Sequence, residues 1–238
     1  ITVNVLPTVT ASASDDTLCA GQSTTLSAGG NATGYSWSGG ITNNQSFVPG
    51  SSQVYVLTGS NGICSNLDSV YVTVHALPSV TVASVLPNDS VCSGSSVIAS
   101  GGGATSYAWN GPQTISNATA FNATLNGNYT VTGTNGNGCS NTASFHMTVF
   151  ALPNVSVASV LPNDSVCSGT QVTMNGAGAN TYSWNGPQSI SNATPFTALN
   201  GGTYTVTGTD LNGCSQSTTT SLTVHALPIV NIASVTPN

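Results

Sequence analysis

The feature that most constrains this chain is that it repeats. His75-Ala76-Leu77-Pro78 returns as Phe150-Ala151-Leu152-Pro153 and again as His225-Ala226-Leu227-Pro228, a spacing of 75 residues. The eleven residues from Ser84 to Gly94 recur unchanged from Ser159 to Gly169, and their opening recurs from Ser234 to Asn238. A weaker copy of the Leu-Pro signal, Val5-Leu6-Pro7, precedes the first full unit. A fixed period of this size means one structural unit used several times. The boundaries fall at 8–78, 79–153 and 154–228. Residues 1–7 match the closing strand of a preceding unit, and 229–238 match the opening strand of a following one, so the sequence reads as a window in a longer array.

Within a unit the hydrophobic period is two. Val80-Thr81-Val82-Ala83-Ser84-Val85 alternates as a half-buried strand does. Further short strands follow at Ser96 to Ala99, Tyr107 to Trp109, Phe121 to Leu125, Asn128 to Thr132 and Ala143 to Val149. They are separated by turn signals such as Asn110-Gly111-Pro112 and Asn135-Gly136-Asn137-Gly138. No stretch carries helical periodicity with caps. About seven short strands per unit, with turns every 8–12 residues, predict tandem immunoglobulin-like β-sandwiches, an all-β fold.

Composition narrows function. The chain has no Lys or Arg, and its formal net charge is −6. Nucleic-acid binding rests on cations that neutralise phosphates, and a polybasic membrane-surface patch needs the same residues, so both are excluded. No apolar run approaches the ~20 residues that span a bilayer. Without charges to protect sheet edges, the edges are expected to be covered by sugars or paired with neighbours. General acid–base catalysis needs positioned titratable groups, which are nearly missing. The repeats serve as an internal control on the histidines: His75 and His225 hold the place of Phe150, and His146 that of Tyr71 and Ser221. A Ser–His–Asp triad is therefore not expected, and the chain is read as non-enzymatic.

The six cysteines fall two per unit: Cys19 and Cys64, Cys92 and Cys139, Cys167 and Cys214. The simplest pairing is one disulfide inside each unit, which implies an oxidising compartment. Two cysteines per unit, with no Cys-x-x-Cys, are too few for a zinc site. A ~75-residue sandwich has a marginal core, and closing a loop of ~47 residues is worth about 4 kcal/mol in the chain-entropy model. Trp37, Trp109 and Trp184 lie 17 or 18 residues beyond the first cysteine of each unit and are expected in the core; a sugar-stacking platform is the competing role. Asp15-Asp16 and Asn88-Asp89 near the unit boundaries could lend oxygens to calcium, although one or two carboxylates per boundary are sparse.

The Cys–Trp–Cys order resembles immunoglobulin domains. Leu-Pro-x-Val linkers, Cys-x-Gly, a Tyr-x-Trp strand and Tyr-Thr-Val-Thr-Gly-Thr-x-x-Asn-Gly-Cys, at Tyr129 to Cys139 and Tyr204 to Cys214, resemble the Ig-like/PKD-like repeats of large Bacteroidota surface proteins. Those include gliding-motility-associated adhesins exported by type IX secretion. The resemblance implies an extracellular stalk or filament of semi-stiff modules, each advancing about 35–40 Å, whose partners are neighbouring repeats, like chains or surface glycans. It also implies O-glycosylation at Asp-Ser/Thr followed by an apolar residue, which marks Thr17, Ser69, Ser90 and Ser165. Asn-x-Ser/Thr sequons at Asn31, Asn44, Asn88 and Asn117 arise from composition. A glycan-binding module and a spacer of a larger secreted enzyme are the alternative readings.

Overall fold

A computed structural model describes residues 4–231. Each repeat contributes seven strands. The first supplies β1 (Val9–Ala13), β2 (Thr17–Cys19), β3 (Thr24–Gly30), β4 (Gly34–Trp37), β5 (Ser46–Phe47), β6 (Gln53–Ser60) and β7 (Ser65–His75). The second supplies β8 (Thr81–Leu86), β9 (Ser90–Cys92), β10 (Ser96–Gly102), β11 (Ser106–Asn110), β12 (Ala120–Asn122), β13 (Gly127–Thr134) and β14 (Ser140–Phe150). The third supplies β15 (Ser156–Leu161), β16 (Ser165–Cys167), β17 (Gln171–Ala177), β18 (Thr181–Asn185), β19 (Phe196–Thr197), β20 (Gly202–Thr209) and β21 (Ser215–His225).

In every repeat these strands form a three-stranded and a four-stranded sheet, ordered β1-β3-β5 and β2-β7-β6-β4 in the first and equivalently in the others. The short strand β2 runs parallel to the end of β7, pairing Cys19 with His75, and β16 pairs Cys167 with His225 in the same way. Two sheets, sequential antiparallel strands and one short parallel return make an immunoglobulin-like sandwich. By compactness the chain divides into two units that cut through the middle repeat. One comprises residues 1–85, 98–119 and 128–145; the other comprises 86–97, 120–127 and 146–238. The expected outermost strands are not seen where the chain is described: 4–7 and 229–231 are not in strands, and 1–3 and 232–238 lie outside the described residues.

Strand alternation places the core. Along β6, β13 and β20 every second residue is buried, beginning with Tyr55, Tyr129 and Tyr204. The first repeat packs Leu18, Leu26, Trp37, Tyr55, Leu57 and Val72 together. The third packs Val166, Val172, Met174, Ala198, Tyr204 and Leu222. The opposite faces are polar without charge, and there hydroxyls bond across strands: Thr134 with Ser140 at 2.9 Å, Thr207 with Ser217 at 2.8 Å and Thr209 with Ser215 at 2.9 Å. Such cross-strand hydroxyl pairs do on this surface what ion pairs do on others. At Gly30, Gly103 and Gly178 the backbone has positive φ, and a Cβ would lie within 2.1 Å of the carbonyl oxygen of Thr8, Ser79 or Asn154. Only glycine fits there, which explains the Gly-rich ends of β3, β10 and β17.

Candidate functional site

The cysteines do not pair within repeats. Cys19 of the first repeat bonds to Cys139 of the second (Cα–Cα 5.6 Å), and Cys92 of the second bonds to Cys214 of the third (5.5 Å). Cys64 and Cys167 are free. This overturns the expected pairs Cys19–Cys64, Cys92–Cys139 and Cys167–Cys214, and the reason is strand direction. Cys19 sits opposite His75, the last residue of β7, whereas Cys64 immediately precedes Ser65, its first. Eleven residues of strand lie between, about 36 Å, against the 4.4–6.8 Å that a disulfide tolerates. In the third repeat, Cys167 faces His225 at the far end of β21 from Cys214 in the same way.

Both halves of the junction are built by local hydrogen bonds. On the β2 side, the Gln22, Ser95 and Thr170 N–H groups donate to the carbonyls of Cys19, Cys92 and Cys167 at 3.0–3.1 Å. Gly21, Gly94 and Gly169, each with positive φ, complete these turns. On the hairpin side, Asn135 Oδ1 accepts from the N–H groups of Asn137 and Cys139, and Asp210 Oδ1 from those of Asn212 and Cys214. Asn61 Oδ1 does the same for Ile63 and Cys64. These Asx turns fix the orientation of each hairpin cysteine. The hairpin of the second repeat also grips the linker before it: Asn135 Nδ2 donates to the Ala76 carbonyl (3.0 Å) and Asn141 Nδ2 to the Pro78 carbonyl (3.2 Å). A shallow groove lined by Gln22, Leu77, Gly138 and Ser140 runs beside the Cys19–Cys139 bridge.

Trp37 is buried, and Trp109 and Trp184 are half-buried. Each indole N–H donates to an asparagine Oδ1, on Asn43, Asn117 and Asn192, at 3.2, 3.1 and 3.0 Å. The same oxygen accepts the backbone N–H of Ala28, Gly101 or Gly176 at 2.7–2.8 Å. One amide thus ties the tryptophan to strand β3, β10 or β17. Sequence reading missed these asparagines; their recurrence six or eight residues after each tryptophan was the available signal.

Thr17, Ser69, Ser90 and Ser165 are exposed, and Leu18, Val91 and Val166, which follow three of them, are buried. Thr17 and Ser90 donate to the carboxylates of Asp16 and Asp89, while the Ser165 hydroxyl lies 3.0 Å from His225 Nε2. Ser69 lies inside β7. At the positions considered for calcium, the Asp15 carbonyl accepts from the Thr24 hydroxyl, and Asn88 Oδ1 accepts from the Ser90 N–H. Among the described residues no group of three or more His, Cys, Asp or Glu side chains could hold a metal ion, and no helix is long and apolar enough to cross a membrane. The Asp68 carboxylate accepts the Ala11 N–H at 2.7 Å, and this bond, with a second from Ser69, holds its pKa below the ordinary 3.8. Burial pushes the Tyr129 and Tyr204 phenols above the ordinary 10.0.

No family model matches the chain, and no curated protein matches it. Among solved structures it is similar to the N-terminal eight Ig domains of Down syndrome cell adhesion molecule, at 18% identity and a TM-score of 0.43, covering 92% of this chain and 37% of that one. It is similar to the titin I-band fragment I67–I69, at 15% identity and a TM-score of 0.40, covering 92% and 99%. The D1–D4 ectodomain fragment of ICAM-5 is similar at 14% identity and a TM-score of 0.45, covering 92% and 76%.

Proposed function

We propose that the chain is a structural and adhesive repeat segment of an extracellular surface protein, a covalently jointed array without enzymatic activity. The observation that carries this reading is the pair of disulfides that cross from one repeat to the next. A bridge inside a core stabilises one module; a bridge between modules transmits tension and holds the array together when a loop is cut. Such bonds persist where the surroundings are oxidising. The cation-free, hydroxyl-rich surface and the exposed Asp-Ser/Thr sites fit a chain displayed outside the cell, with Thr17, Ser90, Ser165 and Ser69 as sugar carriers. The tryptophans, one buried and two half-buried, are each engaged by an asparagine, which gives the glycan-binding alternative little support.

The test is made on the native protein at its source. Antibody labelling of intact cells locates it, and a non-reducing peptide map reports its bridges and sugars. Surface labelling with Cys19–Cys139 and Cys92–Cys214 linked supports the proposal. A protein confined inside the cell with all its thiols reduced refutes it.

A further inference from the structure

The outer face of the third repeat's four-stranded sheet carries one kind of chemistry. Along β20 the buried Tyr204 and Val206 alternate with outward threonines, every second residue from Thr203 to Thr209. Along β21 every second residue from Ser215 to Thr223 is an exposed Ser or Thr. The two strands pair antiparallel without a break in register, so the hydroxyls meet in rows, Thr205 opposite Thr219 and Thr207 opposite Ser217. Strand β18 extends the grid, with Thr181 opposite Thr209 and Ser183 opposite Thr207.

The first repeat does not keep this face. There Val56, Leu67 and Tyr71 stand at the places of Thr205, Ser217 and Ser221. Strand propensity alone therefore does not call for hydroxyls, since Val and Tyr serve the same strands equally well. The grid has the attributes of a surface that orders water. Its repeat is about 6.6–6.8 Å along a strand and about 4.8 Å between strands, with the two directions at right angles. The prism face of hexagonal ice repeats its oxygens along two perpendicular directions at spacings close to these. Threonine is short and stiff at χ1, so holding it against a lattice costs little entropy. No outward residue from Thr203 to Thr209 or from Ser215 to Thr223 is ionisable, so none keeps the disordered hydration shell of an ion. The Thr207 and Ser217 hydroxyls bond to each other at 2.8 Å and those of Thr209 and Ser215 at 2.9 Å. Each hydroxyl has one donor hydrogen and two lone pairs, so every such pair still offers a donor and spare lone pairs to water.

We propose that this face of the third repeat is an ice-binding surface, with the paired columns of β20 and β21 as its centre. The partner is frozen water: a neutral hydrogen-bonding lattice met by a neutral lattice of hydroxyls. A charged polymer finds no counter-charge on the grid, and a sugar chain finds no aromatic ring to stack on. The assignment stands apart from the jointed-array reading, because every residue it uses lies within one repeat and no cysteine takes part.

The experiment uses the full, oxidised chain and ice itself as the probe. A polycrystalline ice sphere is grown slowly in the protein solution, the share of protein taken into the ice is measured, and thermal hysteresis is read on single crystals. The wild-type chain should be enriched in the ice and should shape the crystals. Thr207→Lys sets a long cation in the middle of the grid and should abolish both effects, with the β-sheet circular dichroism unchanged. Thr219→Lys does the same from the neighbouring strand and decides the matter if the first variant loses its fold. Thr58→Lys, at the place of Thr207 in the first repeat, is the control and should bind ice as the parent does. A wild-type chain rejected by the growing ice, full retention by folded Thr207→Lys or Thr219→Lys, or an equal loss with Thr58→Lys would each overturn the proposal. Cell-surface labelling and the bridge map do not enter this assay, so its failure leaves the array reading untouched.

Discussion

Replacing either sulfur of the Cys19–Cys139 bridge should cost the same stability, and replacing Cys64 should cost almost none. The bridge closes 120 residues of chain. In the chain-entropy model, −2.1 − 1.5R ln n at this length gives ~16 cal/mol/K, or about 5 kcal/mol at 25 °C. Cys64 bonds to no other sulfur, so Cys64→Ser should stay within about 0.5 kcal/mol of the parent. The assay is guanidinium unfolding: Cys64→Ser is compared with the parent chain, and the bridge variants are then compared in a Cys64→Ser, Cys167→Ser background, where no spare thiol can capture a freed partner. Cys19→Ala, Cys139→Ala and the double variant should coincide in midpoint. Their coupling energy then equals the whole bond, as expected when two residues act only through one contact. Pairing within repeats predicts a different grouping, with Cys19 and Cys64 equivalent and Cys139 independent of Cys19. A loss on Cys64→Ser equal to that of Cys19→Ala, or additive losses at Cys19 and Cys139, would refute the reasoning from strand direction.

Pulled by its ends until every repeat unfolds, the oxidised chain should stop after three taut segments of 18, 47 and 24 residues, joined by its two bridges. That is about 310 Å, against about 820 Å after reduction; single-molecule extension with and without reductant measures both. Asn117→Ala removes the acceptor shared by the Trp109 indole and the Gly101 N–H. It should cost about 2–3 kcal/mol for the unpaired donors and shift tryptophan emission, read by thermal melts and fluorescence. Asp68, with its folded pKa below 3.8, contributes stability that is complete above that value and lost as pH falls toward the folded pKa. Carboxylate NMR should show the low titration, and Asp68→Asn should flatten the acid limb of the stability curve. Tyr129 and Tyr204, raised above 10.0, contribute stability below pH 10 that is lost as pH climbs through their folded values. Tyr129→Phe should move alkaline unfolding upward in pH, read by circular dichroism.

The architecture was legible because it depends on period and turn chemistry, both local. The alternation of Tyr129, Val131 and Gly133 and the turn at Asn135 to Gly138 place β13 and β14 without knowledge of any distant contact. The disulfides were not legible from spacing, because spacing ignores direction. Forty-five residues between Cys19 and Cys64 close an easy loop in an unfolded chain, yet the parallel pairing of β2 with the end of β7 carries the two sulfurs to opposite ends of one strand. The immunoglobulin analogy reinforced the error: in antibody domains the cysteines sit mid-strand between the sheets. Here those interior places hold Leu26, Ala99 and Met174 on one sheet and Tyr55, Tyr129 and Tyr204 on the other, all buried. A cysteine at a strand end faces out of its own module, and that position was readable in the sequence, in Cys-x-Gly and in the Asn-Gly-Cys of Cys139 and Cys214.

That exchange of roles has a physical logic. A 75-residue sandwich whose interior is filled by a phenol, aliphatic side chains, a buried methionine in the second and third repeats and a tryptophan tied down through asparagine keeps its cysteines out of the space between its sheets. Its weak point lies at the joint, where Ala76, Leu77 and Pro78 pass with Leu77 41% exposed and side-chain bonds from Asn135 and Asn141 as the polar grip. In repeat proteins stability is a sum of module terms and nearest-neighbour terms, so a covalent bond adds most where the neighbour term is thin. It also holds the two partners at high effective concentration, turning weak linker contacts into persistent ones. Breaking the bridge should therefore loosen the joint before the modules: hydrogen exchange at Ala76, Leu77 and residues 135–141 should rise on Cys139→Ala, while Tyr129 and Val131 in β13 keep their protection. Uniform loss of protection across β13 would place the bond's effect inside the module and defeat this account.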